Sequence, residues 1–144
     1  MGDPSYEELL AATRRDEKNA QIVRNAIDAL NSGVVPTFLS YFHENMRFQM
    51  NGAHNFSRTC HSRDEFTELV GEVAAGLSEM ITLEIESLHT AGDWVICETN
   101  GQAKTHAQEP YCNRYCMLWK IEDGKVSELR EYNDSAMVER TFFT

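Results

Sequence analysis

Hydrophobic and polar residues change their rhythm once along the chain, from helical spacing in the first half to alternation in the second. Ser5-Tyr-Glu-Glu8 has the spacing of a helix capping box. Beyond it Ile22, Val23, Ala26, Ile27 and Leu30 recur at helical intervals, until Asn31-Ser-Gly33 supplies a stop that accepts the left-handed conformation. The pattern leaves open whether residues 5–32 form one helix or two. Pro36 suits the first turn of a short helix running to about Phe42. Met46, Phe48 and Met50 then alternate with polar residues, which predicts a strand ending at Asn51-Gly52. A second capping box, Ser62-Arg-Asp-Glu65, opens a helix with the apolar stripe Phe66, Leu69, Val70, Val73 and Leu77.

The rest reads as strands. Ile81, Leu83 and Ile85 alternate with Thr82, Glu84 and Glu86, and Ala91-Gly-Asp93 turns the chain into a strand from Trp94 to about Ala103. A polar loop near 104–110 precedes a long strand from Tyr111 to Ile121. Glu122-Asp-Gly124 is a tight turn, and Val126 to Asn133 is the antiparallel partner. A short apolar helix, Ala136 to about Phe142, follows, with Asp134 as its expected N-cap. Helices first and a meander last predict an α+β fold: a curved antiparallel sheet with helices on one face, leaving a conical cavity between the layers.

Composition narrows the functions. At 144 residues the chain is expected to be a single domain spanning 1–144, with residues 1–15 as an N-terminal helical extension. The formal charge of −10 argues against nucleic acid or an anionic membrane as partner, since phosphates would be repelled. No apolar run is long enough to span a bilayer, and the acidic start lacks the pattern of a signal peptide. The expected location is the cytoplasm. Cys60, Cys97, Cys112 and Cys116 show no metal-ligand spacing and read as reduced thiols. Neither they nor His43, His54, His61 and His106 form a spacing that would hold a metal, so no metal and no cofactor is expected.

The stretch Tyr111-Cys-Asn-Arg-Tyr-Cys-Met-Leu-Trp-Lys-Ile-Glu-Asp-Gly-Lys-Val, followed by Glu128-Leu-Arg-Glu-Tyr-Asn-Asp-Ser-Ala-Met-Val, resembles the closing hairpin of SnoaL-like proteins. These belong to the nuclear transport factor 2-like superfamily, with ketosteroid isomerase and limonene-1,2-epoxide hydrolase. The resemblance extends over nearly the whole chain from about residue 16. It implies the fold more strongly than the function, because the superfamily hosts isomerases, cyclases, dehydratases, hydrolases and non-catalytic binders. It places Glu131, within Arg130-Glu131-Tyr132, at the position of the base of the cyclases and the epoxide hydrolase. The hydrolase's Arg and Asp would fall on Thr99 and Gly101, and its Tyr and Asn on Phe48 and Met50. The isomerase's base has no match at Met50 or Asn51, nor its acid near Met117 or Leu118.

Alternation puts Glu131 and Asn133 on one face, and Asn113, Tyr115, Met117 and Trp119 together on one face of the paired strand. The resemblance turns both faces to the cavity. Glu131, Tyr115 and Asn113 are then the candidate catalytic residues: a desolvated carboxylate whose pKa rises toward neutrality, with a phenol and an amide to donate to a developing oxyanion. Asn133, Met117, Trp119, Thr99, Phe48, Met50, Phe38, Phe66 and His54 are the candidate substrate contacts. The expected ligand is a small hydrophobic molecule with a carbonyl group, and the expected chemistry is cyclisation, isomerisation or dehydration. A non-catalytic binding protein and an altered epoxide hydrolase are the alternatives. Apolar residues such as Trp94 and Ile96 on the open sheet face, together with the resemblance, point to a homodimer.

Overall fold

A computed structural model describes residues 2–143. The first helix, α1 (Tyr6–Asn31), is unbroken, and its start is the predicted capping box: Ser5 Oγ accepts from Glu8 N at 3.1 Å while Glu8 Oε2 accepts from Ser5 N at 3.2 Å. Its first buried residue is Asn19, and Val23, Ala26 and Ile27 follow on the same face, so the helix anchors only by its C-terminal half. Gly33, at φ 76°, ends it. The short helix α2 (Val35–Ser40) carries Pro36 in its first turn but stops before Phe42, earlier than expected. Phe42 instead opens the strand β1 (Phe42–Met50), because its backbone is drawn into the sheet opposite Val126.

The short strand β2 (Thr59–Cys60) and the helix α3 (Arg63–Ala75) come next. Ser62 caps α3 by accepting from Glu65 N at 3.1 Å, but the Glu65 carboxylate bonds the N–H of His61, one residue before the cap. The strands β3 (Leu77–Ala91), β4 (Trp94–Thr105), β5 (Pro110–Glu122) and β6 (Lys125–Asn133) form the meander. Asp123 at φ 50° and Gly124 at φ 77° make the β5–β6 turn one with two left-handed residues, whose twist matches that of the strands. The helix α4 (Ser135–Phe142) closes the chain, with Asp134 Oδ1 accepting from Ala136 N at 3.1 Å and Met137 N at 3.2 Å.

All six strands join one sheet in the order β2-β1-β6-β5-β4-β3. The expected antiparallel sheet is corrected at one seam, for β1 and β6 run parallel. A parallel neighbour needs a long crossover, which α3 and the β3–β5 meander provide. Alternation within a strand is the same for either direction, so the sequence carried no sign of this. Register shifts along β3 mark the irregularities that bend the sheet. The helices α1 and α3 lie on one face, and a cluster of aromatic rings sits beneath them. Phe42 is 5.1 Å from Phe66 and 5.9 Å from Trp119, and Phe48 is 4.8 Å from Phe66. No described helix is long and apolar enough to cross a membrane.

Candidate active site

The inner face of the sheet is an ordered grid. Cross-strand pairing sets Phe48, Leu129 and Trp119 in one row and Met50, Glu131 and Met117 in the next, with Asn133 beside Tyr115 in the row after. Glu131 therefore lies between two methionines, with Leu129 before it and the polar Asn133 after it on the same face. Between this grid and the helices is a cavity with about 100 Å³ of free volume, lined almost wholly by apolar side chains.

Glu131 lines that cavity and keeps part of its surface open toward it. The surrounding protein otherwise strips it of water, and its one side-chain partner is the neutral amide of Asn133. Burial therefore pushes its carboxyl up to about 7, against the opposing pull of the Asn133 hydrogen bond. Asn133 Nδ2 donates to Glu131 Oε2 at 3.1 Å, while Asn133 Oδ1 is buried with no hydrogen-bond partner. The basic residues of the two paired strands point elsewhere: Arg130 pairs with Glu128, and Arg114 with Glu86 at 2.7 Å, both on the opposite face.

Of the residues singled out in the sequence, Phe38, Phe48, Met50, Phe66, Tyr115, Met117, Trp119, Glu131 and Asn133 all line the cavity. Asn113, Thr99 and His54 do not. Asn113 is already bonded: its Oδ1 accepts from Asp134 N and its Nδ2 donates to Asp134 O, each at 3.1 Å, and to Tyr111 Oη at 2.9 Å. Thr99 is buried beside Tyr115, its hydroxyl without a partner. His54 is stacked on Phe143 at 5.7 Å, with its Nδ1 accepting from Phe56 N at 3.2 Å. Burial lowers its pKa, and Glu139 opposes that shift.

Two parts of the site escaped the sequence reading. Tyr111 lines the cavity, and its hydroxyl lies 2.9 Å from that of Tyr115. The signal was present, since Tyr111 continues the alternation through 113, 115, 117 and 119. The second part is an aromatic closure from the loop after β1 and from α4. Phe142 stands 5.1 Å from Phe56 and 5.5 Å from Tyr111, and both Phe56 and Phe142 face the cavity. It carried no signal, because the two segments are far apart in sequence. Gly76 makes room for it: a Cβ there would come within 2.9 Å of the Phe142 ring.

Position 101, where the epoxide hydrolase would carry its Asp, is closed to any side chain. A Cβ on Gly101 would meet Tyr115 Cε2 at 2.5 Å, so the Tyr115 ring occupies that space. Burial drives the hydroxyls of Tyr111 and Tyr115 up and keeps both protonated near neutral pH, with the Glu131 charge adding to the effect. The thiols of Cys60 and Cys97 are likewise pushed up to about 11 by burial, which makes them inert packing groups.

The unclosed mixed sheet with a helical layer on one face is a nuclear transport factor 2-like fold. The SnoaL-like domain profile matches residues 23–129, and the chain belongs to that family. Among solved structures it is similar to an NTF2-like protein of unknown function from Burkholderia pseudomallei K96243, at 17% identity and a TM-score of 0.80, covering 88% of this chain and 98% of that one. TerC, co-crystallised with polyporic acid, is similar at 14% identity and a TM-score of 0.78, over 88% and 99% of the two chains. A candidate SnoaL-like polyketide cyclase from Jannaschia sp. CCS1 is similar at 13% identity and a TM-score of 0.75, over 99% and 97%. No curated protein matches the chain in sequence.

Proposed function

We propose that this protein is a cofactor-independent acid–base enzyme of the cyclase, isomerase or dehydratase type, acting on a small hydrophobic carbonyl compound. The observation that carries the reading is the Glu131 carboxylate lining an almost wholly apolar cavity, where burial pushes its pKa up to about 7. A base poised near the working pH removes a proton more effectively than an ordinary carboxylate. Glu131 takes the proton beside the carbonyl, and Tyr115 donates to the oxygen as charge develops there. Similarity to TerC and to the Jannaschia protein supports a cavity that receives small organic molecules. The four unpaired thiols fit a cytoplasmic setting. Trp94, Ile96 and Leu118, adjacent on the open sheet face, support a homodimer.

Exchange with solvent tests the reading without the natural substrate. Acetophenone incubated with the protein in D2O is expected to gain deuterium in its methyl group. Glu131→Gln should slow this on the order of 100-fold, with the folded structure and acetophenone affinity retained. Equal exchange by the two proteins overturns Glu131 as base. The second reading is a non-catalytic binder. It is favoured by the commitment of Asn113 to Asp134, which removes one of the expected oxyanion donors. It predicts binding of acetophenone with no exchange in either protein.

A further inference from the structure

Hydrogen counting around the two cavity tyrosines leads past the reading above. The orientation of the Asn113 amide is unambiguous, because a main-chain N–H, that of Asp134, can only donate, and so fixes Oδ1 as the atom it meets. Both hydrogens of Asn113 Nδ2 are then assigned, one to Asp134 O at 3.1 Å and the other to Tyr111 Oη at 2.9 Å. Tyr111 Oη is therefore an acceptor. The hydroxyls of Tyr111 and Tyr115 hold two hydrogens between them but share one bond, of 2.9 Å. Neither makes another hydroxyl bond among the described residues. One hydroxyl hydrogen is left over on a pair of residues that are only 2% and 5% exposed and that both line the cavity.

A buried donor without an acceptor is costly, and a head-to-tail chain is the cheaper arrangement. If Tyr111 passes its hydrogen to Tyr115, each tyrosine hydroxyl accepts once, Tyr111 also donates once, and the surplus hydrogen lies on Tyr115.

We propose that Tyr111, held by Asn113, is a positioning residue that feeds its hydroxyl hydrogen to Tyr115, turns the Tyr115 hydrogen into the cavity and so selects ligands that carry a neutral oxygen acceptor, such as a ketone, over hydrocarbons of the same shape. This rests on the same cavity as the proposed function but not on Glu131 acting as a base. Tyr115 touches the ligand, whereas Tyr111 and Asn113 act through it.

Acetophenone and α-methylstyrene, which differ by C=O against C=CH2, form the matched probes. The wild-type protein is expected to bind acetophenone about tenfold more tightly, the equivalent of one hydrogen bond. Infrared spectra of bound carbonyl-labelled acetophenone should show the stretch shifted down from its value in hexane. Tyr115→Phe should abolish the preference and the shift. Tyr111→Phe should reduce both partway, since Tyr115 keeps a free hydrogen but loses the bond that strengthens it. Affinity for α-methylstyrene should be unchanged in both variants, a result that mere loss of packing would not give. Glu131→Gln should leave the preference intact even as it stops exchange, so the two proposals can fail separately. Equal binding of the two probes by the wild type, or an undiminished preference in Tyr115→Phe, overturns the inference. Failure of both probes to bind overturns the cavity as a binding site, and the proposed function with it.

Discussion

Asn113 closes a two-bond ring on the backbone of Asp134, accepting from its N–H and donating to its C=O, each at 3.1 Å. Asn51 does the same to Asn133, at 3.0 and 3.1 Å, and Asn31 to Leu83, at 2.7 and 2.8 Å. In each case an amide side chain imitates a neighbouring strand. Asn51 approaches from the β1 side and Asn113 from the β5 side, so the end of β6 that carries Glu131 and Asn133 is gripped from both flanks.

The first prediction follows from that grip. Asn113→Ala leaves the Asp134 N–H without a partner, while its C=O keeps the Val138 N–H, at a cost of about 1–3 kcal/mol. Asn51→Ala should cost a similar amount. Because both hold the same short segment, the double variant should lose less than the sum. Urea unfolding of the four proteins gives the coupling, and strict additivity would show that the two rings act independently.

The second concerns pH. Glu131 stands at about 7 in the folded chain against an ordinary value of 4.5. Between those limits the folded state binds more protons than the unfolded one, so stability from this group is present at low pH and is lost as pH rises toward 7. The difference is at most roughly 3 kcal/mol. Glu131→Gln, which cannot ionise, should therefore gain on the wild type in melting temperature between pH 5 and pH 8. A constant gap across that range would mean that Glu131 titrates as an exposed carboxylate. If Glu131 is the base, exchange of acetophenone should rise through the same interval.

Gly101 supplies the third. Its replacement by Ala sets a Cβ 2.5 Å from the Tyr115 ring and 3.2 Å from Leu83 Cδ2, neither of which can yield without disturbing the core. A loss of about 1–3 kcal/mol is expected, with displacement of the Tyr115 ring. Urea unfolding measures the cost, and a fall in the preference for acetophenone over α-methylstyrene measures the displacement.

The fourth concerns the open sheet face. Ile96 and Leu118 are cross-strand partners, and Arg130 lies 4.8 Å from the Trp94 ring beside them. Sedimentation equilibrium is expected to give a dimer, and Ile96→Lys a monomer with its cavity unchanged. A wild-type monomer at micromolar concentration removes the proposal.

Much of the polar face of the site was legible in the letters. Alternation from Tyr115 to Trp119 and from Leu129 to Asn133 assigns each side chain to a face without reference to any other part of the chain. The same rule pointed to Tyr111, one step beyond the residues chosen. For Asn113 the face was right and the occupation was not: the rule says which way a side chain leaves the strand, not which backbone group waits there.

Local rules were enough for the capping residues Ser5, Ser62 and Asp134, the left-handed turn at Asp123-Gly124 and the side of the sheet on which each strand residue falls, because each depends on neighbours a few positions away. The parallel seam of β1 with β6, the enclosure of Glu131 between Met50 and Met117, the closing of the cavity by Phe56 and Phe142, and the Tyr115 ring over Gly101 were decided by the fold alone. Each joins segments that meet only after the sheet has assembled, and no periodicity within one segment records the partner it will find.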